Sequence, residues 1–96
     1  MSENKKILLV DDEADIALAL SLGLESYGFS VDTFTSSITA LANFKADFYK
    51  MALLDIKIPE MDGIELYKKI TEKDKKIKVC FVSAYDVDYH KVKEYS

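Results

Sequence analysis

The chain has 96 residues, room for one domain and no more. Hydrophobic residues make up 49% and charged residues 31%, a globular mixture unlike that of a disordered chain. With 13 Lys+Arg against 17 Asp+Glu the net charge is −4, which argues against a general nucleic-acid or membrane-surface binder, since either would carry a basic patch. No apolar run approaches the roughly 18 residues of a membrane span, and the short run Ile7 to Val10 falls far short of a signal-peptide core. The lone cysteine, Cys80, excludes an intramolecular disulfide and a Cys-based zinc site, and it fits a reducing, cytoplasmic setting.

Along the chain two hydrophobic periods alternate. Ile7-Leu8-Leu9-Val10 is an unbroken apolar run that ends in acids, the pattern of a strand buried on both faces. Ala14 to Tyr27 turns helical, with Ile16, Leu20, Leu24 and Tyr27 on one stripe, Asp12 placed as N-cap and Gly28 as the stop. Ser30 to Thr35, β-branched and aromatic, is a second strand, and its Asp32 and threonines point to a sheet edge. Ser36 or Ser37 caps a second helix through about Ala46, with Ile38, Leu41 and Ala42 on one face. Met51 to Leu54 repeats the buried-strand pattern and ends in Asp55, and Pro59 and Gly63 bracket the loop that follows. Ile64 to about Thr71 is a third helix carrying Leu66 and Ile70; Ile77 to Val82 is a fourth strand; Asp86 starts a fourth helix. This order predicts an α/β protein, an open parallel sheet with helices on both faces. In such sheets ligands bind beyond the carboxyl ends of the strands, where the strand order switches.

Asp11-Asp12-Glu13 ends the first strand, Asp55 the third and Ser83 the fourth. If the first and third strands are neighbours, Asp11, Asp12 and Asp55 share one rim. Two carboxylates ~4 Å apart repel by about 4 kcal/mol at an effective dielectric near 20, so such a cluster must bind protons or a cation. Mg²⁺ suits it, as a hard ion that takes carboxylate oxygen, keeps several waters and shares phosphate. A single acid after a strand more often caps the next helix; three on two central strand ends favour the cation. Asp55, on the more buried strand, is the better nucleophile toward phosphorus, forming an acyl phosphate. Ser83 is placed to donate a hydrogen bond to a phosphoryl oxygen.

The stretches Lys6-Ile-Leu-Leu-Val-Asp-Asp-Glu13, Met51-Ala-Leu-Leu-Asp-Ile-Lys-Ile-Pro-Glu-Met-Asp-Gly63 and Val79-Cys-Phe-Val-Ser-Ala84, in this order and at these distances, resemble the response-regulator receiver domain of two-component signalling. The similarity covers nearly the whole chain. It implies a flavodoxin-like sheet, here truncated to about (βα)4, with residues 1–96 forming a receiver domain incomplete at its C-terminal side. It implies that Asp55 is the phosphorylated aspartate and that Asp11 and Asp12 are the metal-binding pair, with Asp12 the more direct ligand. Asp55 and the backbone carbonyl of Lys57 complete the Mg²⁺ ligands, and Ser83 is the switch hydroxyl. The implied donor is a phosphohistidine on a sensor histidine kinase or phosphotransfer protein, replaceable by small acyl phosphates. The implied chemistry is self-phosphorylation and autodephosphorylation only, which is regulation rather than enzyme turnover. The family's fifth strand, its terminal lysine and its fifth helix have no counterpart here. The fourth strand is then expected to present a bare apolar edge, a template for self-association.

Two other readings compete. One is a receiver-like interaction module that is never phosphorylated, favoured by the missing lysine and opposed by the intact Asp11, Asp12, Asp55 and Ser83. The other is an aspartyl-phosphate phosphohydrolase, weakened because Lys57 stands where that chemistry needs a second acid. Nucleotide binding lacks a glycine-rich loop, the glycines at 23, 28 and 63 being scattered. His90 reads as an ordinary surface or partly buried histidine, Cys80 as a small core residue, and Lys68-Lys69 with the lysines from 73 to 78 as a solvated helix end and turn. Tyr85, Tyr89 and Tyr95 read as packing residues, with a target-contact role open for the first two.

Overall fold

A computed structural model describes residues 4–82. Its elements run β1 (Lys6–Val10), α1 (Ala14–Ser26), β2 (Ser30–Phe34), α2 (Ser37–Asn43), β3 (Met51–Asp55), α3 (Gly63–Lys73) and β4 (Lys78–Val82). The fourth helix expected from Asp86, with Tyr89 and His90, lies outside the described residues, as do Ser83 and Tyr85. No helix among the described residues is long and apolar enough to cross a membrane.

The strands form one parallel sheet in the order β2-β1-β3-β4. The two unbroken apolar runs occupy the centre because only a central strand buries both faces. Even positions Leu8, Val10, Ala52 and Leu54 pack under α2 and α3 against Ala40, Leu66 and Ile70. Odd positions Ile7, Leu9, Met51 and Leu53 pack with Ala17, Leu20 and Leu24 of α1. The strand with the mixed pattern, β2, lies at an edge, as its polar residues predict.

Helix boundaries follow local chemistry, with two corrections to the sequence reading. Asp12 does not cap α1. The N-cap is Glu13, which makes no side-chain cap bond. Asp11 intervenes: its Oδ1 accepts the Glu13 N–H at 2.9 Å, an Asx turn that a short carboxylate makes two residues ahead. The other end behaves as expected. Gly28 takes φ 93°, and the N–H groups of Gly28 and Phe29 return to Glu25 and Leu24, closing a Schellman motif.

Helix α2 is shorter than expected and buries a different face. Ser36 caps it by accepting the Thr39 N–H at 3.2 Å, which sets the helix phase so that Ser37, Ala40 and Phe44 turn inward while Ile38 is 48% exposed. It stops at Asn43 because the next turn is claimed elsewhere. Asp47 adopts φ 61°, and its N–H donates to the buried Asp74 carboxylate, which also accepts from Lys76. The cap of α3 is Asp62, whose Oδ1 accepts the Glu65 N–H.

On the β2 edge, Asp32 receives Lys6 Nζ at 2.9 Å and the Tyr49 hydroxyl at 2.8 Å. Burial pushes the Asp32 carboxyl up, but those hydrogen bonds and the Lys6 and Lys45 charges outweigh it, and its pKa lies below the ordinary value. A depressed carboxyl stabilises the fold above its unfolded pKa and loses that contribution as pH falls through the folded one. Asp32→Asn should therefore cost about 1 kcal/mol at neutral pH, after allowing for solvent screening. Thermal melts of variant and wild type should converge in strong acid.

Candidate functional site

The sheet register brings the acids together. The strand order switches between the parallel neighbours β1 and β3, and Val10 lies opposite Leu54. One step further on, Asp11 comes level with Asp55, and both continue the α1-side parity of Leu9 and Leu53. The Asp11 N–H donates to the Phe34 carbonyl at 3.0 Å, carrying the β1–β2 ladder one residue past the strand. Asp11 is 2% exposed, Asp55 is half-buried and Asp12 is exposed. One carboxylate oxygen from each of the three lies within 4.8 Å of the others. They line a pocket of about 380 Å³ together with Glu13, Ile16, Ile56, Lys57 and Val82.

Each wall has a local cause. Asp11 is oriented by its bond to the Glu13 N–H, and Asp55 Oδ1 accepts the Lys57 N–H at 3.2 Å. Burial raises the Asp11 pKa; the Glu13 N–H offsets part of this, and the charges of Asp55, Asp12 and Glu13 add to the rise. Three carboxylates are brought together at this separation, where like charges repel. An all-oxygen donor set with a solvent-facing member is what a hard divalent cation such as Mg²⁺ takes, so the residues present fit that ion.

The loop after β3 is held from several sides. Ile58 is 5% exposed and packs in the α2–α3 core. The Gly63 N–H donates to the Ile56 carbonyl at 2.9 Å. A Cβ at position 63 would run into the Asp55 carbonyl oxygen and come 2.9 Å from Ile56 Cα, so only glycine lets α3 start this close to the end of β3. Glu60, at φ 72°, is the centre of a three-residue turn closed by the Met61 N–H on the Pro59 carbonyl. The Ser37 hydroxyl donates to the Met61 carbonyl at 2.6 Å.

Of the residues singled out from sequence, Asp11, Asp12, Asp55 and Lys57 meet at this pocket, and Ser83 falls outside the described residues. The sequence reading gave no site role to Glu13, Ile16, Ile56 or Val82. Glu13 stood within the acidic run and could have been included. The three apolar wall residues carry no signal apart from the fold.

Comparisons with known proteins bear on the family and the fold. The family model for the response regulator receiver domain matches residues 7–95. The chain is similar to the response regulator receiver protein CpdR of Brucella abortus, 36% identical over 84% of this chain and 68% of that protein. It superposes on the response regulator protein TrrA of Thermotoga maritima, solved in complex with Mg²⁺–BeF, with a TM-score of 0.76 and 33% identity over 85% of this chain and 71% of that one. A second structure, of TrrA in complex with the histidine kinase ThkA, gives a TM-score of 0.76 and 35% identity over 86% and 72%. Among longer curated relatives, which are transcriptional regulators, the chain spans only 18 to 40% of their length.

Proposed function

The chain belongs to the response regulator receiver domain family, and on that premise we propose that it is a phosphoacceptor switch in which Asp55 takes a phosphoryl group from a phosphohistidine of a sensor histidine kinase or phosphotransfer protein. The observation that carries this reading is the convergence of the Asp11, Asp12 and Asp55 carboxylates at the end of the two central strands. An Asp55 oxygen attacks phosphorus in line, the P–N bond to the donor imidazole breaks, the imidazole nitrogen takes up a proton, and an acyl phosphate is left on Asp55. Asp11, Asp12, Asp55 and the Lys57 carbonyl would hold Mg²⁺, which supplies positive charge to the phosphoryl oxygens. The Lys57 N–H fixes the Asp55 carboxylate through Oδ1. Ser83 donates its hydroxyl to the transferred group. The same residues would support autodephosphorylation by water, a regulatory reaction rather than enzyme turnover. The kinase partner is supported by the relative TrrA, which was solved with a histidine kinase, and the setting is cytoplasmic. Incubation with acetyl phosphate and Mg²⁺ should raise the intact mass by one phosphoryl group; a mass that never changes, with no beryllofluoride bound, would leave the interaction-module reading in its place.

Self-association belongs to the same proposal. Among the described residues β4 pairs with β3 alone. Its Phe81 is 38% exposed and meets the Tyr67 ring edge-on at 5.6 Å. A second copy adding its own β4 along this edge would cover both rings and extend the sheet. Sedimentation should show dimer growing with concentration, whereas a stable monomer at high concentration would contradict it.

A further inference from the structure

We propose that Ser37 is a positioning residue for the phosphoacceptor site, acting through its hydrogen bond to Met61 to hold the loop that carries the Lys57 carbonyl. The inference deepens the phosphoacceptor reading and rests on it.

Ser37 is the first residue of α2, and its side chain is 1% exposed. The helix does not need that hydroxyl, because its cap bond comes from Ser36. The Ser37 hydroxyl instead crosses to the β3–α3 loop and donates to the Met61 carbonyl at 2.6 Å, a bond between residues 24 apart in sequence. What it grips is a strained segment. Glu60 sits at φ 72° between Pro59 and Met61, with the Met61 N–H returned to the Pro59 carbonyl. That is a γ-turn with a non-glycine centre, a rare conformation that persists only where its surroundings over-determine it. Ile58 buried on one side and the Ser37 hydroxyl on the other are those surroundings.

The segment so held begins at the pocket. The Lys57 N–H is bonded to Asp55 Oδ1 and the Ile56 carbonyl to the Gly63 N–H, so a shift at residues 58–61 is passed directly to the pocket wall. The same α2 N-terminus follows β2, whose last carbonyl, on Phe34, receives the Asp11 N–H. One short segment of chain therefore braces both acid-bearing loops, and Ser37 is the brace on the Asp55 side. Partners that orient ligands in this indirect way commonly change metal affinity by about 10-fold or more when removed.

The test is Ser37→Ala, with alanine favourable at a helix start and smaller than serine, so the fold is retained. In the metal-free protein, exchange of the Lys57, Met61 and Gly63 amides should speed up by about 10-fold, with central-strand amides unchanged. The Mg²⁺ dissociation constant of the folded variant should weaken by about 10-fold. Adding Glu60→Gly removes the steric penalty of the left-handed backbone and should recover much of that affinity. If Ser37→Ala lowers the melting temperature but leaves both the loop amides and the Mg²⁺ affinity as in wild type, Ser37 merely satisfies a buried hydroxyl and the inference is wrong. A wild type that binds no Mg²⁺ and accepts no phosphoryl group overturns the function proposed above, while the exchange result still decides whether Ser37 holds the loop.

Discussion

Asp55→Asn should fold as the wild type does and gain no mass from acetyl phosphate under conditions that label the wild type fully. The amide is nearly isosteric, and its oxygen can still accept the Lys57 N–H that now goes to Asp55 Oδ1, so the loop keeps its anchor. What disappears is the anionic oxygen that attacks phosphorus, and a neutral amide does not replace it as a nucleophile. Labelling should fall to background. Stability should move the other way or not at all, because Asp55 is the first of the neighbouring charges acting on the buried Asp11, and removing it relieves repulsion. Intact-mass measurement with thermal melts of both proteins checks the two halves together. A variant that still gains a stable acyl phosphate would place the acceptor elsewhere.

Asp12→Ala carries the second large effect, on the cation. Asp12 is exposed, and a truncation of that kind, away from core and caps, changes stability by roughly 0.5 kcal/mol or less. Its carboxylate is nevertheless one of the three that converge within 4.8 Å, and the family resemblance implies that it would be the more direct ligand. Mg²⁺ should stabilise the wild type against heat by about 2.7 kcal/mol at a concentration 100 times the dissociation constant. The variant should show no such gain at the same concentration, with an affinity at least about 100-fold weaker. Asp11→Ala is a poorer probe, since it also strips the bond to the Glu13 N–H that starts α1. Scanning calorimetry across a Mg²⁺ series separates the two cases. An undiminished Mg²⁺ response in Asp12→Ala would mean that the ion sits elsewhere.

The parts of this picture legible in the sequence are those set by burial and strand ends. Ile7 to Val10 and Met51 to Leu54 have no polar residue to turn toward water, so both read as central strands, and the sheet order makes them neighbours. Adjacency of those two strands is enough to bring Asp11, Asp12 and Asp55 to one rim. What stayed hidden depends on competition between near-equal local options. Asp12 and Asp11 can each serve the start of α1, and the two-residue reach of the Asp11 side chain decided it. The serines at 36 and 37 are equally good caps by composition. Choosing Ser36 turned the face of α2 and freed Ser37 for a bond to a residue 24 positions away, a distance no local pattern encodes. The left-handed turn at Glu60 was equally invisible, because glutamate carries no preference for it.

Paramagnetic broadening by Mn²⁺, a divalent ion with the same liking for carboxylate oxygen, tests the shared cation site most directly. At substoichiometric Mn²⁺ the amide signals of Asp11, Asp12, Asp55 and Lys57 should broaden first and together, and excess Mg²⁺ should restore them. Broadening that spreads over the acidic surface without preference for these four, or that Mg²⁺ does not reverse, would contradict a common ion held by both central strand ends.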